Sequence, residues 1–198
     1  MKKELSTKII AGKYKGKKIK LPSKEVTRSS KNILRESLFN TLQYEVIDKN
    51  FVEVFGGSGS VGLEALSRGA KHVYFIEFDR QSFKTLSQNT KLLDEKSCTV
   101  ILGDAFERLF DVIDELQKKD ERAYFYFDPP FSIREGMEDI YDKVFELIKK
   151  IPENVTEMII IEHMTKMDMP DIIGKYKFLK KRKFGKSSLS YYMVERES

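Results

Sequence analysis

The sequence predicts an α/β protein, a mainly parallel sheet wound with helices on both faces and preceded by a basic extension. Three observations carry that expectation. From Phe51 onward, short apolar runs alternate with segments whose apolar residues fall at helical spacing, which is the rhythm of repeated β-α units. The runs FVEVF, HVYFIEF, CTVIL, AYFYF and MIIIE are nearly continuous in apolar residues, as strands covered on both faces require. The chain then closes on two alternating segments, YKFLKKRKF and SLSYYMVE, around Gly185-Lys186-Ser187, the pattern of an antiparallel hairpin.

Each element follows from its own signals. Residues 8–21, KIIAGKYKGKKIKL, hold two apolar patches separated by Lys and Gly. They predict a basic β-hairpin with Gly12 or Gly16 near its turn or a bulge. Pro22 and Ser23 punctuate, and Ile33, Leu34, Leu38, Phe39 and Leu42 mark a helix from Ser30 to Leu42. After FVEVF come glycines and a helix around Val61–Ser67 that Gly69 ends. HVYFIEF leads to a helix over Arg80–Leu93, and CTVIL to the helical segment GDAFERLFDVIDELQKK. AYFYF ends in Asp128-Pro129-Pro130, and a helix from about Met137 to Ile151 leads through Pro152 to MIIIE. This divides the chain into an N-terminal extension, 1–50, and a main domain, 51–198.

Composition bounds the function. The 198 residues suffice for one domain with a full core. No apolar run approaches a membrane span, MKKELSTKIIAGKYKGKK has no apolar signal region, and the single cysteine, Cys98, cannot form an internal disulfide. A cytoplasmic protein is expected. His72 and His163 make no metal-ligand spacing. Residues 1–50 carry 13 Lys and Arg against 5 Asp and Glu, residues 51–173 carry 15 against 24, and residues 174–198 carry 8 against 2. Two basic ends thus flank an acidic middle. If they meet in space they form a face for a polyanion; otherwise they are solvated termini that keep the protein soluble.

The residues that end the strands deserve the closest reading, because ligands of such sheets bind beyond the carboxyl ends of the strands. Gly57-Ser58-Gly59-Ser60-Val61-Gly62 fits G-x-G-x-x-G, a dinucleotide pattern. Glu53, however, stands four residues before Gly57, where a carboxylate repels a pyrophosphate. It suits an adenosine ligand with a cationic tail, such as S-adenosylmethionine. Glu77 ends the second strand and can accept both ribose hydroxyls. Asp79 is expected to cap the next helix. Asp104, after Gly103, can accept from an adenine amine or cap the helix that it opens.

YFYFDPPF, at the fourth strand, is the most specific stretch. Two prolines stop strand pairing and stiffen the turn, and Pro130 holds Pro129 extended. The Asp128 carboxylate and the Pro129 carbonyl can then converge on a planar amine and direct its lone pair at an incoming methyl group. Phe131 offers a ring for a base to stack on. A rigid turn with a capping Asp and a core Phe is the structural alternative. With EVFGGSGSVGLEALSRGA, IIAGKYKGKKIKLP, TRSSKNILRESLFNTL and KFGKSSLSYY, this DPPF resembles the RsmD family over essentially the whole chain. These are bacterial 16S rRNA guanine-N2 methyltransferases of the Rossmann-like class I fold.

The resemblance implies a seven-stranded, mainly parallel sheet with a C-terminal antiparallel hairpin. It implies S-adenosylmethionine as cofactor, held by Glu53, Gly57, Ser58, Gly59, Glu77, Phe78, Asp104 and Ala105, with Arg35 near its methionine end. Thr27, Arg28, Arg35 and Glu36 match the family's TR…RE pattern at the RNA entrance. Asp128, Pro129, Pro130 and Phe131 match its catalytic turn. Lys13, Lys15, Lys17, Lys18 and Lys20 in the hairpin, Arg28, and Lys180, Lys181, Arg182 and Lys183 near the end would hold phosphates of 16S rRNA, expected within a small-subunit particle; from the sequence itself a monomer with no metal and no membrane partner is the default expectation. The sequence departs from the family at Glu53, commonly Asp, at Gly56, commonly Ala, at Ser29, commonly Pro, and at Asn32-Ile33, commonly Asp-Arg. Rival readings are an adenine-N6 methyltransferase of DNA or RNA, an NAD-dependent oxidoreductase, and a non-catalytic RNA-binding protein.

Overall fold

The structure, a computed structural model, describes residues 5–22, 29–130 and 139–194. The chain forms two compact units, residues 1–109 and 110–198.

The first unit begins with β1 (Ser6–Lys8) and β2 (Lys18–Lys20), paired antiparallel with Ser6 opposite Lys20. The expected hairpin is present, with a longer connection than a tight turn. In that connection the Gly16 N–H donates to the Ile9 carbonyl and the Ile9 N–H to the Lys17 carbonyl, both at 2.9 Å. Helix α1 (Ser29–Leu42) follows, continued by a short 3-10 turn at Gln43–Val46. Then come β3 (Asn50–Glu53), α2 (Ser60–Ser67), β4 (His72–Glu77), α3 (Arg80–Leu93) and β5 (Cys98–Leu102). β4 lies between β3 and β5, parallel to both. Every residue of β3 is buried, and Phe51, Val52, Val73 and Phe75 are fully enclosed. On α3, Ser82, Leu86, Asn89 and Thr90 are buried, an inward stripe at helical spacing.

The N-terminal hairpin is stitched to this unit by side chains on the helices. Glu64 of α2, fully buried, accepts the Ile10 and Ala11 N–H groups at 2.8 and 3.0 Å and pairs with Arg68 at 2.9 Å. Ser67 Oγ accepts from the Tyr14 N–H at 2.9 Å and donates to the Ala11 carbonyl at 2.6 Å, while the Ser67 carbonyl accepts from Lys13 at 2.7 Å. Gly12 makes this approach possible. Its φ is +83°, and a Cβ there would lie 1.9 Å from the Ser67 carbonyl oxygen, so only glycine fits.

Helix α4 (Ala105–Lys119) begins in the first unit and ends in the second. The second unit adds β6 (Ala123–Phe127), α5 (Ile140–Lys149), β7 (Thr156–Met164), β8 (Ile172–Ile173), β9 (Tyr176–Phe184) and β10 (Ser187–Val194). β6 and β7 are parallel, β10 pairs antiparallel with β7 and β9, and β8 adds antiparallel to β9. The two-residue β8 adds a strand to those the sequence predicts. The predicted strand FVEVF is shorter, pairing only through Glu53, and Val54 and Phe55 lead into the glycines. MIIIE extends at both ends into a nine-residue strand. Met137, the expected start of the fifth helix, lies outside the described residues. Among the described residues no helix is long and apolar enough to cross a membrane.

Candidate functional site

The first unit ends its parallel strands in the predicted acids and glycines. The Gly56 N–H donates to the Ile76 carbonyl at 2.8 Å and the Gly59 N–H to the Gly56 carbonyl at 2.7 Å, which folds residues 56–59 into a tight loop. Gly59 caps α2 at φ +78°, and a Cβ there would lie 2.3 Å from Leu86 and 3.3 Å from the Phe75 ring. A glycine N-cap has no side chain to receive the first helical N–H groups. Glu53 does this from the strand instead: its Oε2 accepts the Gly62 N–H at 2.7 Å, and the residue is 4% exposed. A carboxylate at this end also suits the helix dipole. The anion-binding end of α2, where a dinucleotide would place its pyrophosphate, therefore already holds a carboxylate.

Glu77 is the second acid. Its Oε2 accepts the Gly57 N–H and its Oε1 the Asp79 N–H, each at 2.7 Å. Burial raises its proton affinity above the ordinary glutamate value, and the backbone donors of Asp79 and Gly57 work in the opposite sense. An ionised carboxylate has about four lone-pair sites, so each oxygen can take one further donor, as a ribose diol requires. Beside it, Phe78 is 75% exposed, an open ring face at a strand end. Asp79 caps α3 as expected, accepting the Ser82 N–H at 2.9 Å. Asp104 is exposed and its Oδ1 accepts the Phe106 N–H at 2.9 Å, so of its two expected roles the structure displays the cap. Ala105 is buried directly after it, and the Phe106 ring meets Phe55 edge-on at 6.0 Å. The donor and acceptor set of this unit fits an adenosine with a non-phosphate tail.

Arg35 is 2% exposed. Its guanidinium donates to the Lys8 carbonyl at 2.7 Å and the Ser60 carbonyl at 3.3 Å, and lies 3.7 Å from Glu64. It thus joins hairpin, α1 and the first residue of α2. Lys13, Lys15, Lys17, Lys18 and Lys20 are exposed, with the Lys13 ammonium 5.0 Å from the Tyr14 ring centroid. Thr27 and Arg28 lie outside the described residues. The sequence reading missed Glu64, Ser67 and Asn89. An acid inside the apolar run VGLEAL is the signal that marks the first of them.

The second unit presents the proline turn. β6 is buried throughout, Asp128 is half-buried, Pro129 is buried and Pro130 half-buried; Phe131 lies outside the described residues. Nearby chemistry was only partly legible. The Tyr126 hydroxyl donates to Glu162 Oε2 at 2.5 Å, and the Tyr141 hydroxyl to the Glu162 carbonyl at 3.4 Å. Tyr141 holds its proton far above the ordinary tyrosine value, through burial first and then the negative charges of Asp128 and Glu162. These two acids therefore act on one buried phenol. On β9, Arg182 and Lys183 are exposed, whereas the Lys181 ammonium donates to the Thr165 and Met167 carbonyls at 3.0 and 3.3 Å. Lys180 lies over the Tyr191 ring at 5.3 Å.

The remaining candidates for chemistry are structural. Burial pushes the Cys98 thiol up to about 12, which leaves little thiolate for attack. His72 shares a hydrogen bond with Thr99 at 2.8 Å, and His163 lies between the Met164 carbonyl and Ser190 Oγ, each at 2.8 Å.

Comparison with known proteins gives a consistent result. The family model described as Conserved hypothetical protein 95 matches residues 7–193. A Bacillus subtilis protein named "Putative rRNA methyltransferase YlbH" is 27% identical over 192 residues, 93% of this chain and 97% of that protein. The Escherichia coli protein named "Ribosomal RNA small subunit methyltransferase D" is 34% identical over 124 residues, 63% of this chain, and the match spans 60% of the E. coli protein. Among solved structures, "Putative methyltransferase yhhF" of E. coli superposes with a TM-score of 0.74 at 24% identity, covering 98% of this chain and 100% of that one. The fold is therefore that of the class I methyltransferases.

Proposed function

The chain belongs to the family described as Conserved hypothetical protein 95, the RsmD family, and from that premise we propose that it methylates the exocyclic N2 of a guanine in 16S rRNA with S-adenosylmethionine as donor. The observation that carries the choice of cofactor is the Glu53 carboxylate on the Gly62 N–H at the start of α2. It repels a pyrophosphate and tolerates a cationic amino acid tail, which disfavours a nicotinamide dinucleotide. The relatives' names supply the rRNA, and the Asp128-Pro129-Pro130 turn supplies the chemistry for an amine.

When bound, S-adenosylmethionine supplies a methyl group on a sulfonium. The chain does the rest by position and electrostatics. Glu77 would accept the ribose hydroxyls, Phe78 would offer its ring to the adenine, and Asp104 and Ala105 would hold its amine. Gly57, Ser58 and Gly59 would border the cofactor as a tight loop, and the Arg35 guanidinium holds the Ser60 carbonyl that follows it. Asp128 and the Pro129 carbonyl each accept one N–H of the guanine amine. This turns the nitrogen lone pair outward, and the carboxylate would offset the positive charge that grows on nitrogen as the N–C bond forms and the methyl–sulfur bond breaks, the surplus amine proton then leaving to Asp128 or to solvent. Pro130 keeps the turn extended, and Phe131 stacks on the base. Lys13, Lys15, Lys17, Lys18, Arg28, Arg182 and Lys183 meet phosphates. The protein acts as a cytoplasmic monomer on a partly assembled small subunit.

The test offers isotopically labelled cofactor to small-subunit particles lacking the modification and locates the methylated nucleotide by mass spectrometry. Label on guanine N2 is expected; label only on adenine or on DNA overturns the assignment. In the same assay Asp128→Ala is expected to abolish transfer, with a cofactor affinity by calorimetry within about twofold of the parent.

A further inference from the structure

Asn89 sits on the inner stripe of α3 and is 1% exposed. Its carboxamide serves two segments far apart in sequence. Oδ1 accepts the Lys20 N–H at 2.9 Å, and Nδ2 donates to the Lys20 carbonyl at 2.8 Å and to the Ser58 carbonyl at 2.9 Å. Both amide hydrogens are therefore used. Toward Lys20 the side chain imitates a neighbouring strand, offering one donor and one acceptor to a single residue. Toward Ser58, itself 1% exposed, it fixes the carbonyl in the middle of the glycine loop.

β1 and β2 are three residues each and pair with each other. A two-stranded ribbon of that size has little stability of its own, so the hairpin keeps its shape through the side chains that receive it. Glu64 and Ser67 hold residues 10–14 against α2. Asn89 differs from them because its other hydrogen bond ends in the loop between Gly57 and Gly59. We propose that Asn89 is a positioning residue for both ligands: through one buried carboxamide it sets the basic hairpin that meets RNA and the loop that meets the cofactor. It contacts neither ligand, yet losing it weakens both. This rests on the function proposed above.

The test compares the 198-residue chain with Asn89→Asp and Asn89→Ala. The aspartate keeps the size and one acceptor and removes both donors. S-adenosylhomocysteine affinity is measured by calorimetry, and affinity for a 16S rRNA fragment by fluorescence anisotropy at fixed salt, both well below the melting temperature. Each variant is expected to bind both ligands about tenfold more weakly. By contrast, Glu77→Gln weakens only the S-adenosylhomocysteine complex and Lys17→Ala only the RNA complex. A lowered melting temperature with both affinities at the parent value overturns the proposal and leaves Asn89 a packing residue. Hydrogen exchange on the unsubstituted chain gives a second arm if the variants do not fold. S-adenosylhomocysteine is expected to slow exchange of the Lys20, Ile10 and Ala11 amides at least threefold, and unchanged rates overturn the proposal. A parent chain that fails to bind S-adenosylhomocysteine at all instead removes the functional reading, and this inference with it.

Discussion

Glu77 holds the glycine loop, and under the proposed function the same side chain would also receive the cofactor. Its carboxylate oxygens carry the Gly57 and Asp79 N–H groups, and burial raises its proton affinity above the ordinary value of 4.5. A ribose diol donates to the ionised form, so cofactor affinity is expected to fall with acidification, starting at a pH above the ordinary glutamate range. Calorimetric titrations across pH 4.5 to 8 read this directly. Glu77→Gln is expected to bind about 10- to 100-fold more weakly at neutral pH, the cost of about 1.5–3 kcal/mol for hydrogen bonds to a charged group. It should also lose the acid-side dependence. The linkage for folding has the opposite sense. A carboxyl raised in the folded state contributes stability below its unfolded value and loses it as pH rises through the folded one. The free protein therefore tolerates acid at this residue while the complex does not.

Elements carry the next predictions. His163 on β7 donates its Nδ1–H to the Met164 carbonyl, so in the neutral ring Nε2 accepts from the Ser190 hydroxyl on β10. Burial, with a smaller effect from Lys181, lowers its proton affinity below the ordinary 6.5. A histidine lowered in the folded state binds its proton more readily when unfolded. Stability is therefore full above about pH 6.5 and declines as pH falls from there toward the folded value. Urea unfolding at pH 7.5, 6.5 and 5.5 should show this decline in the parent and a shallower one in His163→Asn. At the hairpin, Gly12→Ala is expected to cost about 1–3 kcal/mol by backbone strain and by collision with the Ser67 carbonyl, read as a lower urea midpoint with faster amide exchange over residues 9–17. Legibility follows the same physics. The strands were readable because buried parallel strands have no polar face to hide the pattern, and the Asp79 cap because its acceptor serves an N–H only three residues on. The destination of Glu53 was not readable: a strand-end carboxylate can face solvent or turn back, and only the missing side chain at Gly59 explains why it turns to Gly62. Arg35, Glu64 and Asn89 were opaque for a related reason. Their long-range partners lie 25 to 69 residues away, and no local pattern records such a distance. Strand-end position suggested ligand roles for Glu53, Glu77, Asp104 and Asp128, and the resemblance added Arg35 and the choice of a guanine in rRNA.

At the scale of the whole molecule, charge is the property that no single element explains. A net charge of +5 conceals two basic ends, and the segment between them carries 24 acidic residues against 15 basic ones. An acidic middle repels phosphates wherever basic side chains do not intervene, so under the proposed function the two ends are where RNA would be steered. Counting lysines overstates how many can neutralise phosphate, because some ammonium groups already serve the fold. Lys15, Lys17 and Arg182 are exposed, whereas Lys181 is half-buried and bonded to two backbone carbonyls. Each phosphate neutralised on single-stranded RNA contributes about 0.7 to the slope of log affinity against log salt concentration. Lys15→Ala, Lys17→Ala and Arg182→Ala should each flatten that slope by about 0.7, with little change in unfolding midpoint. Lys181→Ala should do the reverse, leaving the slope nearly unchanged and lowering the midpoint, because the Thr165 and Met167 carbonyls lose their donor. Anisotropy titrations of a 16S rRNA fragment from 50 to 300 mM salt, paired with urea unfolding, separate the two classes. A slope equally flattened by Lys181→Ala would place that ammonium on phosphate and break the distinction between binding and structural lysines.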